Sequence, residues 1–148
     1  MGSTGLAAVF AFCAGLGGAV QIAVQARLGE RVGSIEAVVC ASAVAAICSI
    51  AVLLVARGGV GRLGSGVTGP KWQLLGGVMG ALIVLSITVA GPRIGIVATT
   101  AMLIAGQFIL ATVIDRFGWF GVERVEISWT RVVGLVLLAA GAFLTLRR

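Results

Sequence analysis

Long apolar stretches, separated by short polar ones, make up almost the whole chain. A helix needs about 20 apolar residues to cross the hydrocarbon core of a bilayer, and five stretches reach or nearly reach that length. The last of them is the shortest, and Ser128 ahead of it has the side chain that an N-cap requires. The pattern predicts an all-α integral membrane protein that forms one transmembrane domain, residues 1–148. The predicted helices span about residues 4–26, 37–56, 72–90, 95–115 and 128–146.

The composition supports a membrane location. The chain is 59% hydrophobic and 11% charged, and it has no His. A soluble domain has about a quarter charged residues, so too few are present here to cover a water-facing surface. Backbone groups in lipid must bond within their own segment, which makes the apolar stretches helices. Because the amino end lacks a basic segment, we expect the first helix to be retained rather than cleaved.

The connections are marked by glycine, proline and charge. Residues 26–36 are predicted to join the first two helices, and the Gly-rich, basic residues 57–72 to join the second and third. Pro92 in "AGPRIG" cannot continue a helix interior, so it predicts a tight turn after the third helix. Residues 116–129 contain tryptophans of the kind that settle between headgroups and tails.

Small residues recur within the predicted helices. Gly76 and Gly80 form a Gly-x-x-x-Gly pair, and the run 15–18 is rich in glycine. Gly134 and Gly141 lie seven residues apart, on one face of the last helix. Tight packing within one chain is the simpler interpretation. The alternative is that the last helix is a dimer seam, while the first helix can rock or unwind locally.

Lysine and arginine in short loops set the orientation of a membrane protein. Five spans place six cations on the side of the amino end: Arg57, Arg62, Lys71, Arg116, Arg124 and Arg131. The opposite side has five: Arg27, Arg31, Arg93, Arg147 and Arg148. This near-equality predicts insertion in both orientations, unless one charged loop decides the topology alone. Because the cations occupy connections and ends rather than one face, the net charge of +6 does not indicate nucleic-acid binding.

Four segments together carry a family resemblance. They are "GLGGAVQIAVQARLG", "PKWQLLGGVMG", "GPRIGIVATT" and "AGQFILATVIDRFG", and they cover nearly the whole chain in order. The chain resembles the small YdcZ-type proteins of the drug/metabolite transporter superfamily. At Gln25 that family more often has Asn.

The resemblance implies an architecture. Larger members of the superfamily have ten helices as two inverted five-helix halves, and small multidrug exporters have four helices and work as antiparallel dimers. A five-helix chain is similar to one such half. We therefore expect an inverted-repeat transporter fold completed by an antiparallel homodimer, which agrees with the separate count of cations.

Polar side chains within the spans are candidate binding groups, because burying them in lipid without a partner is costly. Gln107 lies near the middle of the fourth helix, and Thr100, two turns earlier, shares its face. Gln21 and Gln25 lie one turn apart on the first helix. We expect all four to line a substrate cavity, the simpler alternative being hydrogen bonds between helices.

Residues at the helix ends have other expected roles. Asp115 is predicted to lie at the membrane interface beside Arg116, where it pairs with a cation or takes part in gating. Glu36 suits the positive end of the second helix. Trp72 is expected to be an interfacial anchor.

The chemistry that is missing narrows the function. Small multidrug exporters resemble one another in carrying a Glu in the middle of helix one, and this helix has no carboxylate. Exchange of cationic drugs for protons is therefore less favoured as a function than transport of a neutral, aromatic or anionic metabolite. No nucleophile–base pair can be assembled, which argues against an enzyme. The three cysteines have neither His partners nor a Cys-x-x-Cys spacing, so no metal site or cofactor is expected.

The sequence thus predicts a small secondary-active transporter, acting as an exporter by alternating access in a bacterial plasma membrane. Two alternatives stay open. One is a structural or regulatory membrane subunit without transport of its own. The other is one half of a transporter whose second, oppositely oriented chain is a different protein.

Overall fold

The computed structural model describes residues 2–57, 59, 64 and 68–146, with the side chains from residue 5 onward. Within these residues the regular structure is helical and no strand occurs. The five long helices are α1 (Gly2–Val32), α2 (Ser34–Arg57), α3 (Leu75–Ile94), α4 (Ile96–Phe117) and α5 (Trp129–Leu146). Short 3₁₀ turns at Lys71–Leu74 and Trp119–Gly121 precede α3 and follow α4.

All five helices of the described chain are long and apolar enough to cross a membrane. The mean hydropathy of their spans runs from 1.8 to 2.8, and at most 17% of any apolar window is buried within the chain. Lipid is as apolar as a leucine side chain, so such helices need no protein cover over most of their surface. The prediction of five spans is confirmed.

The connection between the first two helices lies within the predicted residues 26–36 but is far shorter than predicted. The structure continues α1 to Val32 and begins α2 at Ser34, which leaves Gly33 as the only residue between them. Gly33 has φ 100°, a conformation that only glycine adopts without strain. The charged residues before it continue the helix beyond the apolar span, and Arg27 and Glu30 pair on the surface of this extension at 3.0 Å.

The break predicted within "AGPRIG", residues 90–95, lies at Gly95 rather than at Pro92. Pro92 lies inside α3, which ends two residues later, and Gly95 with φ 86° forms the break. Proline lacks an N–H, so it removes the hydrogen bond to the carbonyl of Thr88. Near the end of a helix only this one hydrogen bond is lost, so α3 continues past Pro92 to Ile94. The carbonyl of Gly95 then accepts from the Thr99 N–H at 3.0 Å as α4 begins.

Half of the connection predicted at residues 57–72 lies outside the described residues. Arg62, Arg147 and Arg148 of the cation count also lie outside them. The described part ends in the turn Lys71–Leu74, where the Gln73 N–H donates to the carbonyl of Pro70 at 3.0 Å.

The chain forms two compact units. The unit Val20–Arg93 contains the second half of α1 together with α2 and α3. In it, α1 and α3 approach closely through small residues: a Cβ on Gly91 would lie 3.0 Å from the Cβ of Ala26. A Cβ on Gly29 would overlap the methyl group of Thr88. A larger residue at either place would therefore require the two helices or the Thr88 side chain to shift.

The unit Met1–Ala19 with Ile94–Arg148 holds the first half of α1, α4 and α5. Here α4 packs along α5, and the buried residues are small: Ala98, Thr99, Ala105 and Ala142. The Thr99 hydroxyl donates to the carbonyl of Gly95, so burying it leaves no polar group unpaired.

Most glycines singled out in the sequence are not packed. A Cβ would meet nothing within 4 Å at Gly15, Gly17, Gly18, Gly76, Gly80, Gly134 or Gly141. Packing between elements of the described chain therefore does not explain these glycines. Their faces are free for a second chain or for a change of helix shape.

Candidate functional site

The two amides of α1 differ in their surroundings. Gln25 is buried, with 4% of its surface exposed, and its Nε2 has no hydrogen-bond partner within the described chain. Gln21, one turn earlier, is exposed. The face of α1 that meets α3 is formed by Ile22, Ala26 and Gly29. Gln25 lies close to that face in helical register, whereas Gln21 lies farther to one side.

Thr100 lines a groove of about 560 Å³ between Ala19 of α1 and the helices α4 and α5. The other lining residues are apolar, among them Leu137 and Gly141. The Thr100 hydroxyl donates to the carbonyl of Ile96 at 2.8 Å, so its donor is used within its own helix. The groove offers an apolar surface rather than a polar cavity.

Gln107 lies on the exposed surface of α4 and does not line this groove. No hydrogen bond holds its amide within the described chain. An amide on the lipid-facing surface of a helix is unfavourable unless it has a partner. Gln107 therefore needs a second chain, water or a ligand to satisfy it. Thr100 and Gln107 belong to one compact unit, and Gln21 and Gln25 to the other.

Asp115 forms an ion pair at the end of α4. Its Oδ2 accepts from Nη1 of Arg131, in the first turn of α5, at 3.0 Å. Both side chains are about one-third exposed. Arg116, which follows Asp115 in the chain, is exposed on the surface. The cation that pairs with Asp115 in the structure is thus Arg131.

The connection after α4 folds back over the end of the helix. Gly118 has φ 65° and its N–H donates to the carbonyl of Ile114 at 2.8 Å, which caps α4. The carbonyl of Asp115 accepts from the Val125 N–H at 2.9 Å. Ser128 accepts from the Arg131 N–H through its carbonyl at 3.0 Å and its hydroxyl at 3.4 Å, which confirms the predicted N-cap.

The Asp115–Arg131 pair opposes the helix dipoles. A carboxylate at a helix C-terminus and a cation at an N-terminus are each unfavourable, so mutual pairing offsets both. We predict that Asp115→Asn and Arg131→Gln each lower the free energy of unfolding by about 1 kcal/mol or less, because the pair is partly exposed. The exchange Asp115→Arg with Arg131→Asp keeps the pair and aligns both charges with the dipoles, so it should match or exceed the natural stability.

Thermal unfolding in detergent measures these changes, and Arg116→Gln is the control for loss of charge at the same helix end. If the exchanged protein is less stable than both single variants, the stability does not depend on the pair and the helix dipoles alone, and this account of the pair is contradicted.

The aromatic residues lie at the helix ends. Trp72 is half-exposed in the turn before α3, and Trp119 and Trp129 are exposed at the two ends of the α4–α5 connection. Phe117 stacks on Trp119 with ring centroids 5.7 Å apart. The positions suit rings that settle between headgroups and hydrocarbon. The anchoring role of Trp72 stays a prediction.

Comparison with known proteins identifies the class. Five apolar spans define a multi-pass membrane protein, and the family described as "Putative inner membrane exporter, YdcZ" matches residues 6–144. The "Inner membrane protein YdcZ" of Escherichia coli (strain K12) is 30% identical over 146 residues, which cover 97% of this chain and 96% of that protein. No solved structure matches the chain. The chain belongs to the YdcZ family and is a multi-pass inner membrane protein.

Proposed function

We propose that this protein is a secondary-active exporter of a small neutral, aromatic or anionic metabolite. Its membership, over nearly the whole chain, of the family described as "Putative inner membrane exporter, YdcZ" is the observation that carries the proposal. In this proposal the protein works by alternating access as an antiparallel homodimer, each chain supplying one half of an inverted repeat.

Two features of the single chain support the dimer. The cations are nearly balanced between the two sides, at six and five, so neither orientation is strongly favoured. A Cβ added at Gly134 or Gly141 of α5 would meet nothing within 4 Å, so a second helix has room to approach closely here. We propose α5 as the seam between the two copies.

The exposed amides support a polar cavity in the dimer. Gln107 and Gln21 lie on the surface of the single chain, within helices that cross the membrane. Lipid would leave their amides without partners, whereas a water-filled cavity between two copies would hydrate them. We propose that these residues, Gln25 and Thr100 line the substrate pathway, and that Asp115 and Arg116 lie at its boundary.

Export can be tested before the substrate is identified. Cells producing the protein should release at least one small metabolite into the medium at a higher level than cells with the empty vector. Gln107→Leu should reduce this release by roughly tenfold, because a hydrogen bond to the substrate is lost from a water-poor site. Mass spectrometry of the spent medium, with equal amounts of protein in the membrane, is the measurement.

Phe108→Leu is the matched control, since Phe108 is the exposed neighbour of Gln107 on α4. If no metabolite changes with the wild-type protein, a structural or regulatory subunit becomes the better account. If release occurs and Gln107→Leu leaves it unchanged, the protein is an exporter and Gln107 is not part of the pathway.

A further inference from the structure

Gln25 is the buried polar side chain that the described chain leaves unsatisfied. It is 4% exposed, and its Nε2 has no hydrogen-bond partner. The other buried polar side chains of the described residues are Thr88 and Thr99, and each donates to a carbonyl of its own helix at 2.8 Å. A buried donor without an acceptor costs free energy, and most are satisfied in native proteins. The partner of Gln25 must therefore come from outside the described chain.

The neighbouring helix explains why no acceptor is at hand. The face of α1 beside Gln25 meets α3 through small or apolar groups, with Ile22 and Ala26 against Gly91. The hydroxyl of Thr88, the buried polar group of that part of α3, donates its proton to the carbonyl of Val84. The groups nearest to Gly91 are the side chains of Ile22 and Ala26 and the backbone carbonyl of Ile22, all of which belong to α1 itself. Gln25 is thus not explained as a hydrogen bond between α1 and α3.

The charges at this end of the helices favour an electron-rich partner. Arg27 and Arg31 follow Gln25 within two turns, and Arg93 follows Gly91 within one turn of α3. Arg27 pairs with Glu30 at 3.0 Å. The other carboxylate of these helix ends, Glu36, is folded back towards Gly33. Three cations against two carboxylates leave a small positive excess, which attracts anions and repels cations.

We propose that Nε2 of Gln25 donates a hydrogen bond to an oxygen of the transported molecule. The substrate class is then a neutral or anionic molecule with a carbonyl, carboxylate or sulfonate oxygen, rather than an organic cation. An ammonium group has donors only, so it cannot accept from Nε2. This inference rests on the proposed export function and names the chemistry that one of its residues recognises.

The test uses two small thiol reagents of opposite charge. A chain without Cys13, Cys40 and Cys48 receives the single change Gln25→Cys. Opened membranes are treated with 2-sulfonatoethyl methanethiosulfonate, which is anionic, or with the 2-(trimethylammonium)ethyl reagent, which is cationic. After correction for the rates with a free thiol, we expect the anionic reagent to modify Gln25→Cys about tenfold faster than the cationic one, as positive potentials enrich anions.

Single cysteines at two other positions serve as controls for this measurement. Val24→Cys lies at the same depth of α1, on the exposed face that carries Arg27 and Arg31, so it measures the preference for the anion that these arginines create on their own. Ala37→Cys is at a position with 0% exposure and should react with neither reagent. No reaction at Gln25→Cys would overturn the inference, because it would place the residue in the closed interior. A preference for the cationic reagent would overturn the proposed substrate class.

A second measurement separates ligand binding from a structural role. In the substrate-free protein Gln25→Leu removes an unsatisfied donor and keeps the volume, so the melting temperature should rise by a few degrees while metabolite release is lost. A lower melting temperature or loss of dimers would mean that the partner of Gln25 is structural, such as the second copy, and would overturn the inference. Release unchanged in Gln25→Leu would do the same. Failure of wild-type release would instead count against the exporter itself.

Discussion

Three lysines inserted after Gly64, between α2 and α3, should fix the chain in one orientation and abolish metabolite release. The two sides of the natural chain carry six and five cations, so a few added charges outweigh the difference. Chains that all face one way cannot form an antiparallel dimer. Three lysines placed after Arg148 should fix the opposite orientation with the same loss.

Release should return when the two biased chains are produced together, because they supply both orientations. Glutamates inserted at the same positions are the control for length, since acidic residues contribute little to orientation. Mass spectrometry of the medium gives the result, with each chain quantified in the membrane. Full release from either biased chain alone would contradict the antiparallel homodimer.

Cysteines in place of Gly134 and Gly141 should form cross-links whose pattern shows whether the α5 helices of two copies run antiparallel or parallel. The midpoint of α5, between Leu137 and Leu138, is also the midpoint between these glycines. Two inverted α5 helices that cross at their midpoints therefore bring Gly134 of one copy beside Gly141 of the other. A parallel pair brings each glycine beside its own equivalent.

In a chain without native cysteines, co-produced Gly134→Cys and Gly141→Cys should form a disulfide between two chains on oxidation, and neither variant should do so alone. A disulfide needs Cα atoms within about 7 Å, so the pattern is selective. Val136→Cys with Phe143→Cys, also seven residues apart but on another exposed face, is the control pair. Cross-links formed by each glycine variant alone would indicate a parallel seam.

The number and class of the helices follow from the sequence because hydropathy is a local property. Their ends do not follow so simply. The charges of residues 27–31 suggest a loop, yet a helix can leave the lipid and keep its hydrogen bonds in water, so α1 continues to Val32. Pro92 suggests a turn, but near the end of α3 it removes one hydrogen bond only. At both junctions a single glycine with positive φ makes the break.

Less of the candidate site than of the fold can be predicted from the sequence. Helical spacing relates Gln21 to Gln25, but which of the two amides is buried depends on how the helices pack, and the structure buries Gln25 alone of the two. The partner of Asp115 lies sixteen residues away and depends on how α4 and α5 pack. The sequence leaves Arg116 and the loop cations open as partners of Asp115, and the structure pairs it with Arg131. The seam that we propose at the glycines of α5 would depend on a second chain, which no pattern within one helix specifies.

The orientation of the chain in the membrane tests the central claim most directly. A single cysteine is added after Arg148 in a chain without Cys13, Cys40 and Cys48, and intact cells are labelled with an impermeant thiol reagent before and after permeabilisation. The near balance of cations predicts that about half of the chains label from outside. Labelling of all chains on one side would contradict the antiparallel homodimer and favour an oppositely oriented partner protein or a role without transport.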